Sequence, residues 1–425
     1  MPADGELGRG RRVLFVTPHL PYPPFWGFNV RVYQLIKRLS ERHRVSLLSY
    51  AGDEDDDLAD SLAALEPWCE AIHTVPRQRR SMRRTLLSTR AGQLISLGSI
   101  ASYHGRRLRS SQMQEAINRV VAAGSFDLVQ VESSQMMGHR FPDGVPVILD
   151  EHNLEFELLE RASRAERSLP RKGYSWLEYM KVRREERIHW QLAAGCVMTS
   201  EREAGVVRTL PSATPVAVVP NGVDLDHFSQ DFQPGSPDPN SVVFTGLMTY
   251  RPNFDAATYF VREVLPRIHR AHPEVTFTAV GWGGLPEALQ SPRVRATGRV
   301  GDVRPYLARA GAVVVPLRMG SGTRLKILEA LAMGRPVVST SLGCEGLDVH
   351  DGEQLLVADD PDRFAAAVLE LLANPQRGRE LGARGRALVE ACYGWDSVAR
   401  RLEAFHDERA VAWSAGSRPA LAVGA

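Results

Sequence analysis

The sequence predicts two doubly wound α/β domains in tandem. Three observations point there. Short apolar runs of strand length recur along the 425 residues, amphipathic stretches at helical spacing separate them, and the alternation is present in both halves. Strands apolar on both faces and spaced by helices imply parallel βαβ units, because parallel strands need crossovers that cover the sheet.

In the first half Val13–Thr17 (VLFVT) reads as a buried strand. Val30–Glu41 follows as a helix, with Val32, Leu35, Ile36 and Leu39 on one face. Val45–Ser49, Leu128–Glu132, Val145–Asp150, Gly195–Thr199 and Val216–Val219 are the remaining strands. The segment Gln230–Asn240 (QDFQPGSPDPN) is rich in Pro and Asp and marks a joint. Beyond it come strands at Ser241–Thr245, Val275–Val280, Val294–Thr297, Ala312–Pro316 and Pro336–Ser339. Helices are expected at Asp255–Arg270, Asp362–Ala373 and Arg377–Val389. The expected domains are 1–228 and 229–390, with 391–410 a helix returning to the first domain and 411–425 a disordered tail. Doubly wound sheets bind ligands beyond the carboxyl ends of their strands, so a cleft between the two domains is the expected site.

Composition removes several function classes. The chain is 44% hydrophobic and 24% charged, ordinary for a globular protein and unlike a disordered one. Lys+Arg 52 against Asp+Glu 50 leaves a net charge of +2, which argues against a nucleic-acid partner. The cysteines (Cys69, Cys196, Cys344 and Cys392) are scattered, with neither a zinc pattern nor a disulfide framework. Apolar runs are far short of the ~20 residues of a spanning helix. A cytoplasmic location is therefore expected, with peripheral contact at the inner face of the membrane as an addition. That addition rests on Arg77–Arg90 (RQRRSMRRTLLSTR), which carries Met82, Leu86 and Leu87 beside arginines, as an interfacial segment for anionic membrane does. A solvated loop or a grip on an anionic acceptor are the alternatives. The acidic run Asp53–Asp57 reads as a solvated loop rather than a metal site. Trp176, Tyr179 and Trp190, on the helical stretch Tyr174–Leu192, read as packing residues.

The strongest chemical signal is G-S-G-T-R-L-K-I-L-E-A-L-A-M-G-R-P at Gly320–Pro336. A buried strand runs into a glycine-rich turn, and a helix is expected from about Thr323 to Gly334. Gly320 and Gly322 allow close approach of backbone to a ligand, and the free N–H groups of a helix start favour an anion such as a diphosphate. Arg324 and Lys326 add positive charge, and Glu329 is placed to accept hydrogens from ribose hydroxyls. Lys326 is the sole Lys of the second half. The ordinary alternative is an unliganded strand–turn–helix in which the Glu pairs with a neighbouring cation.

Taken with other segments, these residues resemble the family 4 glycosyltransferases of the GT-B fold. The likeness runs from about Val13 to Ala404: P-Y-P-P-F-W-G-F-N-V-R-V-Y-Q-L at Pro21–Leu35, V-P-N-G-V-D at Val219–Asp224, F-T-G-L-M at Phe244–Met248, R-P-N-F-D-A at Arg251–Ala256, the Gly320–Pro336 stretch, E-G-L at Glu345–Leu347 and Y-G-W at Tyr393–Trp395. The resemblance implies retaining transfer of a sugar from a nucleotide diphosphate sugar, held by the C-terminal domain, to a hydroxyl acceptor held by the N-terminal one. Acceptors of such enzymes include polysaccharides, glycolipids and small molecules. It implies no metal and no cofactor, the nucleotide sugar being a co-substrate. Donor contacts are then expected at Gly27, Gly246, Gly320, Ser321, Gly322, Thr323, Arg324, Leu325, Lys326 and Glu329. Catalytic roles fall to His152, Lys326 and Arg324, and acceptor contacts to Glu132, Asn29 and Arg31. For His152 a helix-capping role, and for Glu132 an ordinary strand-end role, are the structural alternatives. Ser321 stands where the family has the first Glu of its paired-Glu motif. A relative that binds nucleotide sugar without transferring it is therefore the second reading, and an epimerase or phosphorylase the third.

Charge at the reacting bond agrees with the first reading. As a glycosidic bond to diphosphate breaks, negative charge grows on the leaving group, where helix-terminal amides, Arg and Lys stabilise it.

Overall fold

A computed structural model describes residues 10–52, 58–77, 96–166, 168–211, 214–232, 236–320, 322 and 324–416. The expected acidic loop at 53–57, the basic segment beyond Arg77, Ser321 and Thr323 lie outside the described residues.

Thirteen strands are described, β1 Arg12–Thr17, β2 Arg44–Ala51, β3 Ala71–Pro76, β4 Leu128–Glu132, β5 Val147–Glu151, β6 Gly195–Met198, β7 Val216–Val218, β8 Asp238–Thr245, β9 Thr276–Val280, β10 Val294–Ala296, β11 Ala310–Val315, β12 Val337–Ser339 and β13 Leu356–Val357. The helices are α1 Gly27–Leu39, α2 Leu58–Leu65, α3 Tyr103–Leu108, α4 Ser111–Ala123, α5 Glu155–Ala165, α6 Leu169–Leu192, α7 Glu201–Arg208, α8 Arg251–Tyr259, α9 Leu265–Ala271, α10 Arg304–Arg309, α11 Leu325–Ala332, α12 Pro361–Ala373, α13 Pro375–Cys392 and α14 Trp395–Ser414. A π-helical segment, Phe260–Val264, joins α8 to α9.

Two wholly parallel sheets result. The first has the order β3-β2-β1-β4-β5-β6-β7 and the second β10-β9-β8-β11-β12-β13. Strand β1 pairs with both β2 and β4, and β8 with both β9 and β11. The order therefore reverses beside β1 and beside β8, which places a crevice at the carboxyl ends of β1/β4 and of β8/β11. The core strands are fully buried, as at Val13, Leu14, Phe15 and Val16 or Val313, Val314 and Val315. This is why they read as continuous apolar runs rather than alternating ones.

Two compact units are formed by residues 1–220 with 399–425, and by 221–398. The division comes ahead of the expected joint at Phe228, and a local reason is visible. The Val223 N–H donates to the Tyr393 carbonyl at 2.8 Å, and a Cβ on Gly222 would lie 2.7 Å from the Trp395 ring. Residues just after Pro220 are thus tied to the chain around 393–395. Helix α14 continues through Ser414, so the expected tail does not begin at 411; its apolar side keeps Val398, Leu402, Phe405 and Ala410 buried.

Strands β3 and β13 were not expected. Strand β3 is half-exposed at the sheet edge and carries His73 and Thr74, and β13 has two residues, so neither makes a long apolar run.

Candidate functional site

In the second unit, the predicted residues converge on the ends of β8 and β11. Gly246 follows β8 at φ 151°, and its N–H donates to Val280 at 2.9 Å. A Cβ there would lie 2.7 Å from Asn253 Nδ2 and 2.8 Å from Lys326 Nζ. Close approach thus requires glycine. The Lys326 Nζ donates to Asn253 Oδ1 at 2.7 Å and stands 4.2 Å from the Phe244 ring centroid, a cation–π contact. Asn253 in turn donates to the Leu247 carbonyl at 3.0 Å, which fixes its carbonyl oxygen toward the ammonium. Asn253 and Phe244 were not assigned roles from sequence. Both lie inside the quoted segments, but only the fold brings them to Lys326.

The half-buried Lys326 is pushed down to about 7, first by burial and then by Arg324, while Glu329 opposes the shift. Glu329 lies one turn further along α11 and is pushed up to about 7 by burial, with Lys326 opposing. Burial thus disfavours the charged form of both groups. Helix α11 begins at Leu325 rather than Thr323, because Arg324 is still extended at φ −91°, ψ 93°. No side chain among the described residues caps that start; the Ile327 N–H donates to the Arg324 carbonyl at 3.0 Å, and the N–H groups ahead of it are of the kind an anion binds. Gly320 at φ 115° and Gly322 at φ 78° make the turn, and a Cβ on Gly320 would lie 3.1 Å from the Arg324 guanidinium. Gly246, Gly320, Arg324, Lys326 and Glu329 are thus neighbours in one cradle.

The first unit gathers a different cluster. Successive strand residues face opposite sides, so Asp150 and Glu151 at the end of β5 diverge. Asp150 accepts from Arg31 of α1 through both oxygens, at 2.9 to 3.1 Å. Glu151 accepts from Trp190 Nε1 at 3.0 Å and from the Ser134 N–H at 3.1 Å. Next along the chain, His152 Nε2 meets Glu132 Oε2 at 2.6 Å, and Gln130 Nε2 donates to the other Glu132 oxygen at 2.7 Å. The Phe28 ring stacks on His152 at 4.5 Å between centroids. Burial pushes Glu132 up to about 7 and Asp150 up to about 6, with Arg31 opposing both shifts, and burial pushes His152 down to about 4. Oxygen and nitrogen atoms of Glu132, Asp150 and His152 lie within 4.8 Å of one another. Arg31 already spans both Asp150 oxygens, and its charge disfavours a cation there.

The three expected acceptor contacts change. Arg31 is fully buried and also donates to the Pro220 carbonyl at 3.0 Å, so it is bound to protein and cannot meet an acceptor. Asn29 is buried and donates to the Leu20 and Pro23 carbonyls at 3.3 and 3.0 Å, so it shapes the loop before α1. Glu132 is wholly buried behind His152. Gly27, the first residue of α1, is exposed at a helix start that no side chain caps. Trp190 packs in the core as expected, but Trp176 is 56% exposed on the outward side of α6.

A Glycosyltransferase Family 4 model matches residues 27–227, and a Glycosyl transferases group 1 model matches 239–374. Glycogen synthase from Mycobacterium tuberculosis is 27% identical over 201 residues, 44% of this chain and 47% of that protein. The alignment thus spans about half of that relative's length. Sucrose-phosphate synthase from Thermosynechococcus elongatus superposes with a TM-score of 0.67 at 18% identity, covering 96% of this chain and all of that one. Anabaena HepE in complex with UDP-glucose superposes with a TM-score of 0.63 at 12% identity, covering 94% and 100%. The two family models cover both halves of the chain in order, and both sheets have the GT-B strand arrangement. This chain belongs to the family 4 glycosyltransferases.

Proposed function

We propose that the protein transfers a glycosyl group from a nucleoside diphosphate sugar to a hydroxyl acceptor, with retention at the anomeric carbon and without a bound metal. The observation that carries this reading is Lys326, held 2.7 Å from Asn253 over a glycine that leaves room for nothing larger, beside the start of α11. A diphosphate supplies the negative charge that this half-buried amine lacks. As the glycosidic bond breaks, the charged Lys326, Arg324 and the first amides of α11 receive the growing negative charge, the task a metal performs elsewhere. Glu329 accepts the ribose hydroxyl hydrogens. His152 holds a hydroxyl of the acceptor or of the transferred sugar. The acceptor oxygen attacks from the leaving-group side and passes its proton to a donor phosphate oxygen, so no side-chain nucleophile is needed. The HepE complex, which holds UDP-glucose, supports the donor class.

Acceptor chemistry is polysaccharide, glycolipid or small-molecule glycoside. The four free cysteines support a reducing, cytoplasmic setting, and no helix among the described residues is long and apolar enough to cross a membrane. Peripheral contact with anionic membrane through residues 77–90 remains part of the proposal on its composition, five of the first eight residues being Arg. Charge removal there is expected to weaken binding to anionic vesicles, and equal binding retires that contact.

A thermal-shift screen with UDP, GDP, ADP, TDP and their common sugars tests the donor, since a ligand of the folded state raises apparent stability by mass action. Turnover with the best donor should persist in chelator and give product of unchanged anomeric configuration. Loss of activity in chelator, or inverted product, sinks those parts of the reading.

A further inference from the structure

Glu132 is wholly buried, yet one of its oxygens lies 2.6 Å from the one His152 nitrogen that faces the protein. Its other oxygen is occupied by the amide of Gln130. The second ring nitrogen of His152, Nδ1, has no hydrogen-bond partner among the described residues, and the side chain keeps 12% exposure. Phe28 holds the ring from its face. Ser133, which follows Glu132, is the one non-glycine residue at positive φ (77°) among those described. Such strain persists where the surroundings demand it, and here it turns the chain directly after the carboxylate.

We propose that Glu132 is a positioning residue that selects the tautomer of His152 and thereby makes its open Nδ1–H a hydrogen-bond donor to substrate. The proposal rests on reading His152 as a substrate contact. With two protons on the pair, the Glu132 carboxyl donates to Nε2 and the imidazole carries hydrogen on Nδ1. Moving that shared proton onto Nε2 leaves Nδ1–H unchanged. With one proton, Nε2–H donates to the Glu132 carboxylate and Nδ1 is bare, able only to accept. The proton count of a buried pair thus decides whether the exposed edge of the ring gives or takes a hydrogen bond. The charged and titratable groups around the pair are Arg31 from α1, Asp150 from β5 and His19 from the loop after β1. Arg31 is committed to Asp150, which keeps its charge compensated. Burial raises Glu132 to about 7 and lowers His152 to about 4, so the pair is neutral between those values and becomes anionic as pH rises through the upper one.

The Glu132→Gln variant provides the test. Its carbonyl accepts from Gln130, so its NH2 is turned to His152 Nε2 and holds the Nδ1–H tautomer at every pH. Nitrogen-15 NMR of the ring, with His152→Gln used for assignment, is expected to show wild type passing from Nδ1–H to Nε2–H as pH rises from 5.5 to about 9. The Glu132→Gln protein should stay Nδ1–H throughout. The kcat at saturating donor, where diphosphate keeps Lys326 charged, should fall on the alkaline side for wild type and lose that fall in Glu132→Gln. Glu132→Leu should lower kcat on the order of 10–100-fold, because the ring is no longer oriented. A wild-type tautomer that stays the same across the range, or kcat profiles of wild type and Glu132→Gln that superimpose, overturns the proposal. Normal kcat in His152→Gln would instead fault the substrate contact on which it rests.

Discussion

The carboxyl ends of the two sheets carry titratable pairs of opposite design. In the first unit, Glu132 and His152 touch at 2.6 Å and Arg31 is locked on Asp150, so charge is compensated within the protein. In the second, Lys326 and Glu329 lie on one helix, and the ammonium is held by a neutral amide and an aromatic face rather than a carboxylate. A self-compensated cluster can hold a geometry whether or not ligand is bound. An uncompensated one is completed by ligand charge. In the proposed function, the first unit orients and the second receives charge.

The largest expected effect comes from breaking the compensation. Arg31→Met leaves Asp150 buried without its partner, and both side chains are fully inaccessible. A loss of about 3–5 kcal/mol is expected in chemical denaturation. Adding Asp150→Leu should restore much of it, since the buried charge then disappears with its partner. A single variant as stable as wild type would show that the pair is not compensating anything.

In the second unit, removal should cost function before stability. Glu329→Ala is expected to weaken nucleoside diphosphate binding by about 1.5–3 kcal/mol, the range for a hydrogen bond to a charged group. Lys326→Ala should cut turnover by a similar factor or more with little change in folding, because burial already disfavours its charged form. Unchanged affinity in calorimetry, or wild-type turnover, removes the respective role.

Proton linkage sharpens the contrast. Diphosphate favours charged Lys326, which sits near 7 in the free protein, so binding through it takes up a proton. Ribose hydroxyls favour ionised Glu329, also near 7, so binding through it releases one. The two oppose each other in wild type. Calorimetry in buffers of different ionisation enthalpy should show release in Lys326→Met, with affinity rising with pH. Glu329→Gln should show uptake, with affinity falling as pH rises. The same sign in both variants would break the assignment.

How much of this was legible in the sequence follows from the range of each interaction. Strand β1 is legible to within one residue, because Val13, Leu14, Phe15 and Val16 are buried on both faces of the sheet and all apolar. Glu329, Lys326 and Gly320 are within ten residues of one another, so spacing alone suggested a cradle. Asn253 is 73 positions from Lys326, and its part appears only when α8 and α11 meet. Arg31 misled for the same reason. An Arg in a loop-and-helix segment looks available until β5, 119 positions away, puts Asp150 beneath it. His152 was recognised through resemblance, but the partner that sets its proton, Glu132, was read as an acceptor contact because burial is invisible along a chain.

The smallest effect separates the two ends of α11. No side chain among the described residues caps its start, while its end is closed by Gly334 at φ 64°, with the Arg335 N–H reaching the Ala330 carbonyl at 2.9 Å. That closure satisfies the last carbonyls and is structural. Ala at 334 must adopt a left-handed backbone, at a cost of about 1 kcal/mol. A fall in Tm of about 2–4 °C is expected for a unit of this size. Nucleotide affinity should stay at the wild-type value below the transition, because the strain lies at the far end of the helix from the amides assigned to diphosphate. If Gly334→Ala weakened binding as much as Glu329→Ala while the protein stayed folded, the helix would be acting as one strained unit, and the division of labour between its ends would have to be given up.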